Sequence, residues 1–363
     1  MDKLKNARAE ISQIDRDMAL LFEKRMEQSK IVAEYKAEKG LPIKDIKREK
    51  ELLEKNRKFI KNKETEGYYL RFQQSVMDIS CLYQERILKG MNVAYSGIKG
   101  AYSHIASEML FPSSSKRSFS SFRNAFESVE KGETDCAVLP LENSVAGEVG
   151  QVMDLIFSGS LFINEIAEIP VIHCLCSLNN AEKKDIKTIV SHPQALEQCS
   201  EYIEKNNFSV ISFSDTASAA EYVKNLGDIS LASLSSKTAA ELNGLKIIEE
   251  EVNDSPNNIT RFASFSREKV LPSPDSRNRD ENFILVFTAE NQAGSLAGAL
   301  NIIGAHGYNM RTLRSRPMKS LQWNYYFYIE AEGNINTQNG RDMMNELSAI
   351  CEHLRLAGCY RRK

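Results

Sequence analysis

The chain has 363 residues, enough for two or three domains with separate hydrophobic cores. Its 47 lysines and arginines nearly balance 49 aspartates and glutamates, and this net charge of −2 argues against a nucleic-acid partner or a membrane surface. The N-terminal residues lack the apolar segment of a signal peptide, and no apolar run approaches the roughly 18 residues of a membrane span.

The seven cysteines are scattered, odd in number and without a CxxC pair. This usage favours reduced thiols over a disulfide framework or a structural zinc site. We therefore expect a cytoplasmic protein. The triplet Asn-Ile-Thr at 258–260 is then an accidental match to a glycosylation acceptor.

Composition divides the chain into four parts. Residues 1–90 are rich in Lys, Glu, Leu and Ile with few breaks, which predicts an all-helical domain. Residues 91–268 alternate short apolar runs with helical stretches, a pattern typical of an α/β domain. Residues 269–280 are rich in proline, serine and charge and predict a linker. Residues 281–363 show the order strand, helix, strand, strand, helix, strand, which predicts an α+β ferredoxin-like sandwich whose second helix covers GRDMMNELSAICEHL.

The first predicted helix carries apolar residues at heptad spacing. One row of this seam consists of Leu4, Ile11, Met18, Arg25 and Val32. A helix of about 50 Å needs a partner helix to cover such a stripe. Arg25 within the seam needs an anionic partner, because an unpaired buried charge is very unfavourable. These features alone also fit a dimeric coiled coil whose polar seam residues set its register.

Eight positions in this region, in order, carry a resemblance to the all-helical class of chorismate mutases. They are Arg8, Arg25, Lys36, Asp45, Arg48, Glu49, Ser80 and Gln84. The resemblance implies an intertwined dimer of long helices in which each active site takes one arginine from the partner chain.

The same resemblance implies how these residues act on chorismate. The three arginines would bind the substrate carboxylates, Lys36 and Gln84 would face the ether oxygen, and Glu49 would hold the hydroxyl. Asp45 and Ser80 are further substrate-binding candidates. The rearrangement to prephenate is intramolecular and needs no nucleophile or base, so such a site works by positioning and electrostatics.

In the central region, four predicted strands each lead into a polar loop that opens a helix. The loops contain GAYS (100–103), ENS (142–144), SHPQ (191–194) and DTAS (215–218). Ligands of α/β sheets bind at the carboxyl ends of strands, and helix N-termini favour anions, so we expect a polar cleft for a small anion. The GxGxxG, Walker A, GxSxG and HExxH patterns are absent, so we predict neither a metal nor a cofactor. His173 lies in an apolar run and is expected to be a structural histidine. From these residues alone, a solute-binding module fits as well as an enzyme.

Longer motifs in this region resemble those of prephenate dehydratase. They are GAYSHIA (100–106), PLENSVAGEV (140–149), SHPQALEQC (191–199), DTASAA (215–220) and DSPNNITRF (254–262). The resemblance implies two α/β subdomains around a cleft, as in type II periplasmic binding proteins. It implies that prephenate loses carbon dioxide and its ring hydroxyl to give phenylpyruvate.

The dehydratase resemblance also assigns residues. It places Thr260 as the donor to the departing hydroxide, with neighbours that tune it, because a free hydroxyl is a poor acid. Further candidates for substrate contacts are Ser103, Glu142, Asn143, Ser144 and Gln194. For Arg261, a carboxylate clamp and a structural ion pair both stay open.

The C-terminal region resembles an ACT domain, the phenylalanine sensor of these dehydratases. Its effector-binding candidates are Gly294, Ser295, Leu296, Ala297, Asn309, Arg314, Ser315, Arg316 and Pro317. Arg314 stands where the family has an acid, and Ala297 is smaller than the usual residue. Retained inhibition and a role in assembly alone are therefore both open.

Taken together, the resemblances span nearly the whole chain and predict a bifunctional chorismate mutase/prephenate dehydratase of phenylalanine biosynthesis, an isomerase and a lyase in one chain. They imply a homodimer or higher homo-oligomer, feedback inhibition by phenylalanine and no cofactor. Two alternatives are an arogenate dehydratase and a non-catalytic amino-acid-sensing or solute-binding protein. The assembly beyond a dimer and channelling of prephenate stay open.

Overall fold

The computed structural model describes residues 3–276, 280–318 and 325–361. The chain separates into two compact units, Met1–Asn92 and Val93–Lys363. Within the described ranges, no helix has both the length and the apolar character needed to cross a membrane. All seven cysteines are free thiols.

The first unit consists of three helices. They are α1 (Lys3–Glu38), α2 (Ile46–Arg57) and α3 (Lys63–Lys89). Asp45 and Asn62 begin the second and third helices, since their side chains accept hydrogen bonds from backbone N–H groups of the first turn. The 36 residues of α1 span about 54 Å at 1.5 Å per residue.

The apolar seam of α1 is largely uncovered within the chain. Six of its large side chains are between 43% and 65% exposed: Leu4, Ile11, Ile14, Met18, Leu21 and Tyr35. Few apolar side chains are buried in this unit, among them Ala33 and Met77. Burial of such side chains is the main driving force for helix packing. The three helices of one chain leave much of the apolar surface of α1 exposed.

The remaining residues form nine helices and fifteen strands within the described ranges. The strands are β1 (Asn92–Ser96), β2 (Ser115–Phe119), β3 (Cys136–Asn143), β4 (Gly147–Glu148), β5 (Phe162–Pro170), β6 (Cys174–Ser177), β7 (Thr188–Ser191), β8 (Ser209–Ser212), β9 (Leu231–Ser235), β10 (Lys246–Glu249), β11 (Ile259–Ser266), β12 (Glu281–Ala289), β13 (Asn309–Pro317), β14 (Tyr325–Glu332) and β15 (Cys351–Arg361). The helices are α4 (Tyr102–Leu110), α5 (Phe122–Glu130), α6 (Gly150–Ser158), α7 (Pro193–Glu197), α8 (Ser200–Lys205), α9 (Thr216–Leu226), α10 (Lys237–Asn243), α11 (Ser295–Ala305) and α12 (Gln338–Ile350), with a 3₁₀ turn at Lys183–Asp185.

Two sheets organise the region between residues 93 and 268. The larger sheet contains β5, β11, β3, β1 and β2 in that spatial order, and the smaller one has the order β10-β6-β9-β7-β8. Chain segments 171–173 and 250–258 connect the sheets. The strands of both sheets alternate with helices that cover their faces, which produces two α/β subdomains, as the sequence predicted.

The C-terminal strands do not form a separate sheet. They follow the predicted βαββαβ order and lie in space as β13-β14-β12-β15, but β15 pairs in parallel with β5, so the larger sheet continues to ten strands. Gly358 makes this junction possible, because a Cβ at that position would lie 2.2 Å from the carbonyl oxygen of Ile163. The predicted linker has neither helix nor strand over 269–276, and residues 277–279 lie outside the described ranges.

One element boundary differs from the sequence prediction. The second helix of the C-terminal region ends at Ile350, whereas apolar periodicity predicted helix through Leu354. Residues from Cys351 onward instead form β15, which pairs antiparallel with β12 and begins with Cys351 opposite Ala289. Cross-strand hydrogen bonds and burial of Cys351 against the sheet outweigh the local helical pattern.

Candidate active sites

Seven of the eight positions selected in the helical region line one cavity of about 270 Å³. They are Arg25, Lys36, Asp45, Arg48, Glu49, Ser80 and Gln84. All three helices contribute, and α1 brings Arg25 and Lys36 to one face because they are three turns apart. Arg8 does not line this cavity. It lies in the exposed first turns of α1, about 25 Å along the helix from Arg25.

The cationic groups of this cavity have few acidic partners. Arg25 donates hydrogen bonds to the carbonyl oxygen of Val76 (3.3 Å) and to the Ser80 hydroxyl. Burial lowers the pKa of Arg25, but a guanidinium keeps its charge at neutral pH. Lys36 Nζ donates to the carbonyl oxygen of Ile43 at 2.5 Å. Across the described part of the chain, neither cation has a carboxylate within ion-pair distance, so the cavity is suited to an anionic ligand.

The acidic and amide groups of the cavity have different tasks. The Asp45 carboxylate accepts the backbone N–H of Arg48 at 3.0 Å, so it begins the helix that carries Arg48 and Glu49. Among the described residues, the Glu49 carboxylate accepts only a long contact from the thiol of Cys81, at 3.8 Å. Gln84 Oε1 is buried without a partner among the described residues. A buried acceptor of this kind has hydrogen-bonding capacity left for a ligand.

In the second unit, Thr260 lies on β11 directly opposite Asn143 of β3. Asn143 Nδ2 donates a hydrogen bond to Thr260 Oγ1 at 2.9 Å, and the two residues are 9% and 8% exposed. Because the amide supplies this proton, the Thr260 hydroxyl proton stays free to be donated elsewhere. Within the described ranges, no histidine or carboxylate hydrogen-bonds Thr260 Oγ1.

The ENS turn holds Asn143 in one orientation. Asn143 Oδ1 accepts the backbone N–H groups of Val145 (3.0 Å) and Ala146 (2.8 Å), which turns Nδ2 toward Thr260. The Ser144 hydroxyl donates to the carbonyl oxygen of Asn257 (2.7 Å) and accepts from the backbone N–H of Ile259 (2.9 Å). Ser144, predicted as a substrate contact, thus fastens the ENS turn to the segment before β11.

A chain of side-chain amides leads from Asn143 to the other subdomain. Asn143 donates to Asn258 Oδ1 (2.7 Å), and Asn258 Nδ2 donates to Gln198 Oε1 (2.9 Å). His173 Nε2 lies 3.0 Å from the same Gln198 oxygen. Asn258 is only 3% exposed, which agrees with the rejection of a glycosylation site. Sequence reasoning did not select these three residues for the site.

The position of Gln198 could have been found from the sequence. The motif contains two glutamines, Gln194 and Gln198, four residues apart and therefore on one helical face. Sequence analysis selected Gln194. In the structure, Gln198 makes the side-chain contact with Asn258, while Gln194 donates its backbone N–H to His192 Nδ1 at 3.2 Å.

His173 is a neutral donor in this arrangement. Burial lowers its pKa, and the hydrogen bond with Gln198, which acts in the opposite direction, does not compensate. Gln198 Oε1 can only accept, so His173 Nε2 donates, and Nδ1 is left buried without a partner among the described residues. The ring of Tyr102, from the GAYS motif, lies edge-on at 6.3 Å from that of His173. Of the two ring nitrogens of this predicted structural histidine, only Nε2 therefore has a hydrogen-bond partner among the described residues.

The remaining motif residues support the loops around this network. Gly100 has φ +96°, and a Cβ there would lie 3.0 Å from Ala239 Cα, so glycine allows the GAYS loop to pack on α10. Ser103 is buried in the first turn of α4. Asp215 of the DTAS motif caps α9 by accepting the backbone N–H groups of Ala217 and Ser218.

The structure places Glu142, predicted as a substrate contact, and Arg261, for which a clamp and an ion pair were both open, in one ion-pair cluster. Glu142 directly precedes Asn143 on β3, and Arg261 directly follows Thr260 on β11. Adjacent side chains of a strand point to opposite faces of the sheet, so Glu142 and Arg261 face away from the site. Arg261 Nη1 lies 2.5 Å from Glu142 Oε1, and the same guanidinium donates two hydrogen bonds, of 3.2 and 3.0 Å, to Glu330. Burial alone would lower the pKa of Arg261, but attraction to Glu330 leaves that pKa raised. Both residues therefore form ion pairs away from Thr260, which agrees with the structural alternative left open for Arg261.

The predicted effector residues are divided between the two faces of the C-terminal sheet. Arg314 pairs across the strands with Tyr328, and Arg316 with Tyr326, so the two arginines lie on the face that packs on the dehydratase-like region. Ser315 pairs with Phe327 on the opposite face. Leu296 of α11 packs on that opposite face as well.

The arginines of the second motif therefore do not line one pocket with the first motif. Arg314 pairs with Glu142 and, at 3.6 Å, with Glu148. Arg316 pairs with Glu148 at 2.5 Å and with Asp154 at 3.2 Å. Within this chain both arginines lie on the face of the sheet opposite Leu296, because a pleated strand sends alternate side chains to opposite faces.

Comparison with known proteins agrees with the two-unit description. The chorismate mutase type II family matches residues 7–85, and the prephenate dehydratase family matches residues 93–270. A bifunctional chorismate mutase/prephenate dehydratase of Buchnera aphidicola subsp. Schizaphis graminum is 31% identical over 97% of this chain and 95% of its own length.

Two solved structures are each similar to 75% of this chain. A prephenate dehydratase of Arthrobacter aurescens, in complex with L-Phe, is 29% identical with a TM-score of 0.68, over 75% of this chain and 90% of that one. GqqA, described as a novel type of quorum-quenching acylase, is 31% identical with a TM-score of 0.69, over 75% of this chain and 98% of that one. The Buchnera relative is matched along both units, and on that match the chain belongs to the bifunctional chorismate mutase/prephenate dehydratase family.

Proposed function

We propose that this chain carries out both reactions of its family with the residues described above. The helical unit rearranges chorismate to prephenate, and the α/β unit converts prephenate to phenylpyruvate. The observation that carries this proposal is the Thr260 hydroxyl, oriented by Asn143 and left with a free proton, together with a separate cavity in which Arg25 and Lys36 lack acidic partners. Both activities serve phenylalanine biosynthesis.

For the mutase reaction, the cavity supplies charge without proton transfer. Arg25 and Arg48 would bind the two carboxylates of chorismate, and Lys36 with Gln84 would face the ether oxygen on which negative charge builds. Glu49, which has no cationic partner among the described residues, would accept the substrate hydroxyl. Preorganised donors at a developing charge lower the barrier without reorganising during the reaction.

We also propose that a second copy of the chain completes the mutase cavity. Arg8 lies about 25 Å from Arg25 along α1, too far to reach the cavity of its own chain. An antiparallel second α1 would bring its Arg8 toward that cavity and cover the exposed seam of Leu4, Ile11 and Met18. This arrangement makes at least a homodimer.

For the dehydratase reaction, the C–O bond to the ring hydroxyl and the C–C bond to the ring carboxylate break as the ring becomes aromatic. The products are phenylpyruvate, carbon dioxide and hydroxide. Thr260 would donate its hydroxyl hydrogen bond to the departing oxygen, while Asn143 holds the threonine from the other side. Gln198 Oε1 is occupied by Asn258 and His173, and its NH₂ group, without a hydrogen bond among the described residues, would donate to the substrate. His173 and Asn258 are positioning residues in this scheme.

The C-terminal region is proposed to be an ACT domain that binds phenylalanine on the helix side of its sheet. Gly294 begins α11 there in a left-handed conformation, and Leu296 and Ser315 lie on the same face. Asn309 at the start of β13 donates to Glu332 at 2.8 Å. The relative solved with L-Phe supports this choice of ligand.

The acylase described for GqqA is a second activity to consider, because that protein is 31% identical over 75% of this chain. Acyl transfer through a threonine requires a base that takes the hydroxyl proton. In the described part of the chain, Thr260 Oγ1 contacts only the Asn143 amide, which is not a base. The site therefore favours the lyase reaction.

The experiment is to supply chorismate to the purified full-length chain and to follow prephenate and phenylpyruvate over time. We expect transient prephenate followed by phenylpyruvate, with slower phenylpyruvate formation when phenylalanine is added. Chorismate consumption without phenylpyruvate would refute the dehydratase assignment. A preference for arogenate over prephenate as the added substrate would identify an arogenate dehydratase instead.

A further inference from the structure

One arginine of β13, Arg314, contacts the end of β3. Arg314 forms an ion pair with Glu142 and lies 3.6 Å from Glu148, both in the region that carries Thr260. Arg316, two residues later on the same face, pairs with Glu148 and Asp154. Gly150 makes room for it, since a Cβ at 150 would lie 2.6 Å from Arg316 Nη2. The C-terminal sheet is therefore fastened to the ENS turn and to α6 by charge.

Glu142 is held from two sides. Arg261 binds one carboxylate oxygen from the neighbouring strand β11, and Arg314 binds the other from β13. The three side chains are between 18% and 25% exposed, so water screens their attraction only in part. A carboxylate that accepts charge-assisted hydrogen bonds at both oxygens has little freedom to rotate.

The position of Glu142 matters because of its neighbour. Glu142 is followed directly by Asn143, whose amide orients the Thr260 hydroxyl. The path from the C-terminal sheet to the catalytic hydroxyl thus consists of one ion pair, one peptide bond and one hydrogen bond. At this end of β3 the pairing with β11 has a register shift between Arg261 and Phe262, and beyond it Glu142 and Asn143 pair both with β11 and with the two-residue strand β4.

The charge of residue 314 decides whether this contact forms. A neutral side chain would leave Glu142 with Arg261 only, and an acidic one would face the carboxylates of both Glu142 and Glu148. Arg314 Nε is buried without a hydrogen-bond partner within the described ranges, so the arginine is not placed there by complete hydrogen bonding of its own. Arg314 therefore contributes to this site through its ion pairs with Glu142 and Glu148.

We propose that Arg314 is a positioning residue of the dehydratase: by binding Glu142, it holds the end of β3 so that Asn143 keeps the Thr260 hydroxyl oriented toward substrate. This inference rests on the proposed role of Thr260. It makes catalytic competence depend on the docked C-terminal sheet, and it gives the charge at 314 a task that differs from effector binding.

The test uses full-length Arg314→Gln and Arg314→Lys, with Arg311→Gln as the matched control. Arg311 is on the same strand but pairs with Glu332, away from Glu142. With prephenate as substrate, we expect Arg314→Gln to lose about tenfold in kcat, since small displacements of a catalytic group have effects of this order, with KM nearly unchanged. Arg314→Lys should recover part of the loss, and Arg311→Gln should behave as wild type. Mutase activity, measured on the same preparations with chorismate, should not change.

A double-mutant cycle with Glu142→Gln tests the same contact from its other partner and does not depend on the folding of one variant. If Arg314 acts through Glu142, the double variant should be no slower than the slower single variant. Additive losses, an effect confined to KM, an equal loss in Arg311→Gln or an unchanged kcat in Arg314→Gln would each overturn the inference. A wild-type chain inactive on prephenate would instead refute the proposed dehydratase function.

Discussion

Replacement of Thr260 by valine separates the chemistry of the dehydratase site from its packing. Valine has the shape of threonine and fits the same strand position, so only the hydroxyl is lost. The structural consequence is small, because Asn143 Nδ2 keeps Asn258 Oδ1 as a partner at 2.7 Å. Loss of one neutral hydrogen bond of 2.9 Å then destabilises the unit by about 1 kcal/mol.

The catalytic consequence of the same substitution is much larger. Removal of an acid or oriented donor at a leaving group slows reactions by about 10²- to 10⁴-fold. We therefore expect Thr260→Val to lower kcat for phenylpyruvate formation by at least about 10²-fold. Chorismate consumption should stay near wild type, because the mutase cavity belongs to the other unit.

The assay follows phenylpyruvate formation from added prephenate, with chorismate consumption by the same preparation as an internal standard. Ser264→Ala is the matched control, since Ser264 is buried on the same face of β11, four residues away. A Thr260→Val chain that retains dehydratase activity within a few-fold of wild type would remove the hydroxyl from the mechanism. Equal losses in both variants would attribute the effect to the strand and not to the donor.

Three further substitutions probe other parts of the molecule. Arg25→Ala should reduce mutase kcat by about 10²-fold or more, since it removes a preorganised cation. Arg16→Ala, on the exposed face of α1, is the control and should leave mutase kcat unchanged. Normal chorismate turnover by Arg25→Ala would refute the cavity assignment. His173→Asn should reduce the loss of folding stability in acid. Burial lowers the folded pKa of His173 below its unfolded value of about 6.5. The contribution of neutral His173 to stability is therefore complete above that pH and declines as pH falls toward the folded pKa. Urea unfolding at several pH values measures this slope, and an unchanged slope would exclude His173 as its source. Gly358→Ala should destabilise the second unit by about 1–3 kcal/mol through a clash with the carbonyl of Ile163, and a calorimetric scan that shows no fall in Tm would contradict the described sheet junction.

Much of the mutase cavity could be anticipated from the sequence. Arg25, Lys36, Arg48 and Glu49 lie at spacings that helical geometry converts directly into shared faces, and a single break at residues 40–45 returns the chain onto α1. The capping role of Asp45 follows from its position before α2. Local periodicity was sufficient here because helices are formed by near neighbours in sequence.

The dehydratase site was only partly predictable. Thr260 and Asn143 were selected from motifs, but Gln198, Asn258 and His173 were not, because their contacts join segments 25 to 115 residues apart in the chain. Motifs also could not say which side chains of a strand face the site. Glu142 and Arg261 are adjacent to site residues in sequence and point to the other side of the sheet.

The sequence by itself indicated the order of the helical, α/β and C-terminal regions, seven residues of the helical cavity and the family, since these depend on composition, periodicity and ordered motifs. Tertiary structure alone decided that β15 joins β5, that Arg314 and Arg316 lie on the face of the sheet opposite Leu296, and that Arg314 binds Glu142. The physical reason is that strand pairing and ion pairs between strands depend on register. A shift of one residue reverses every side chain, and no local pattern in a single strand specifies the partner it will meet.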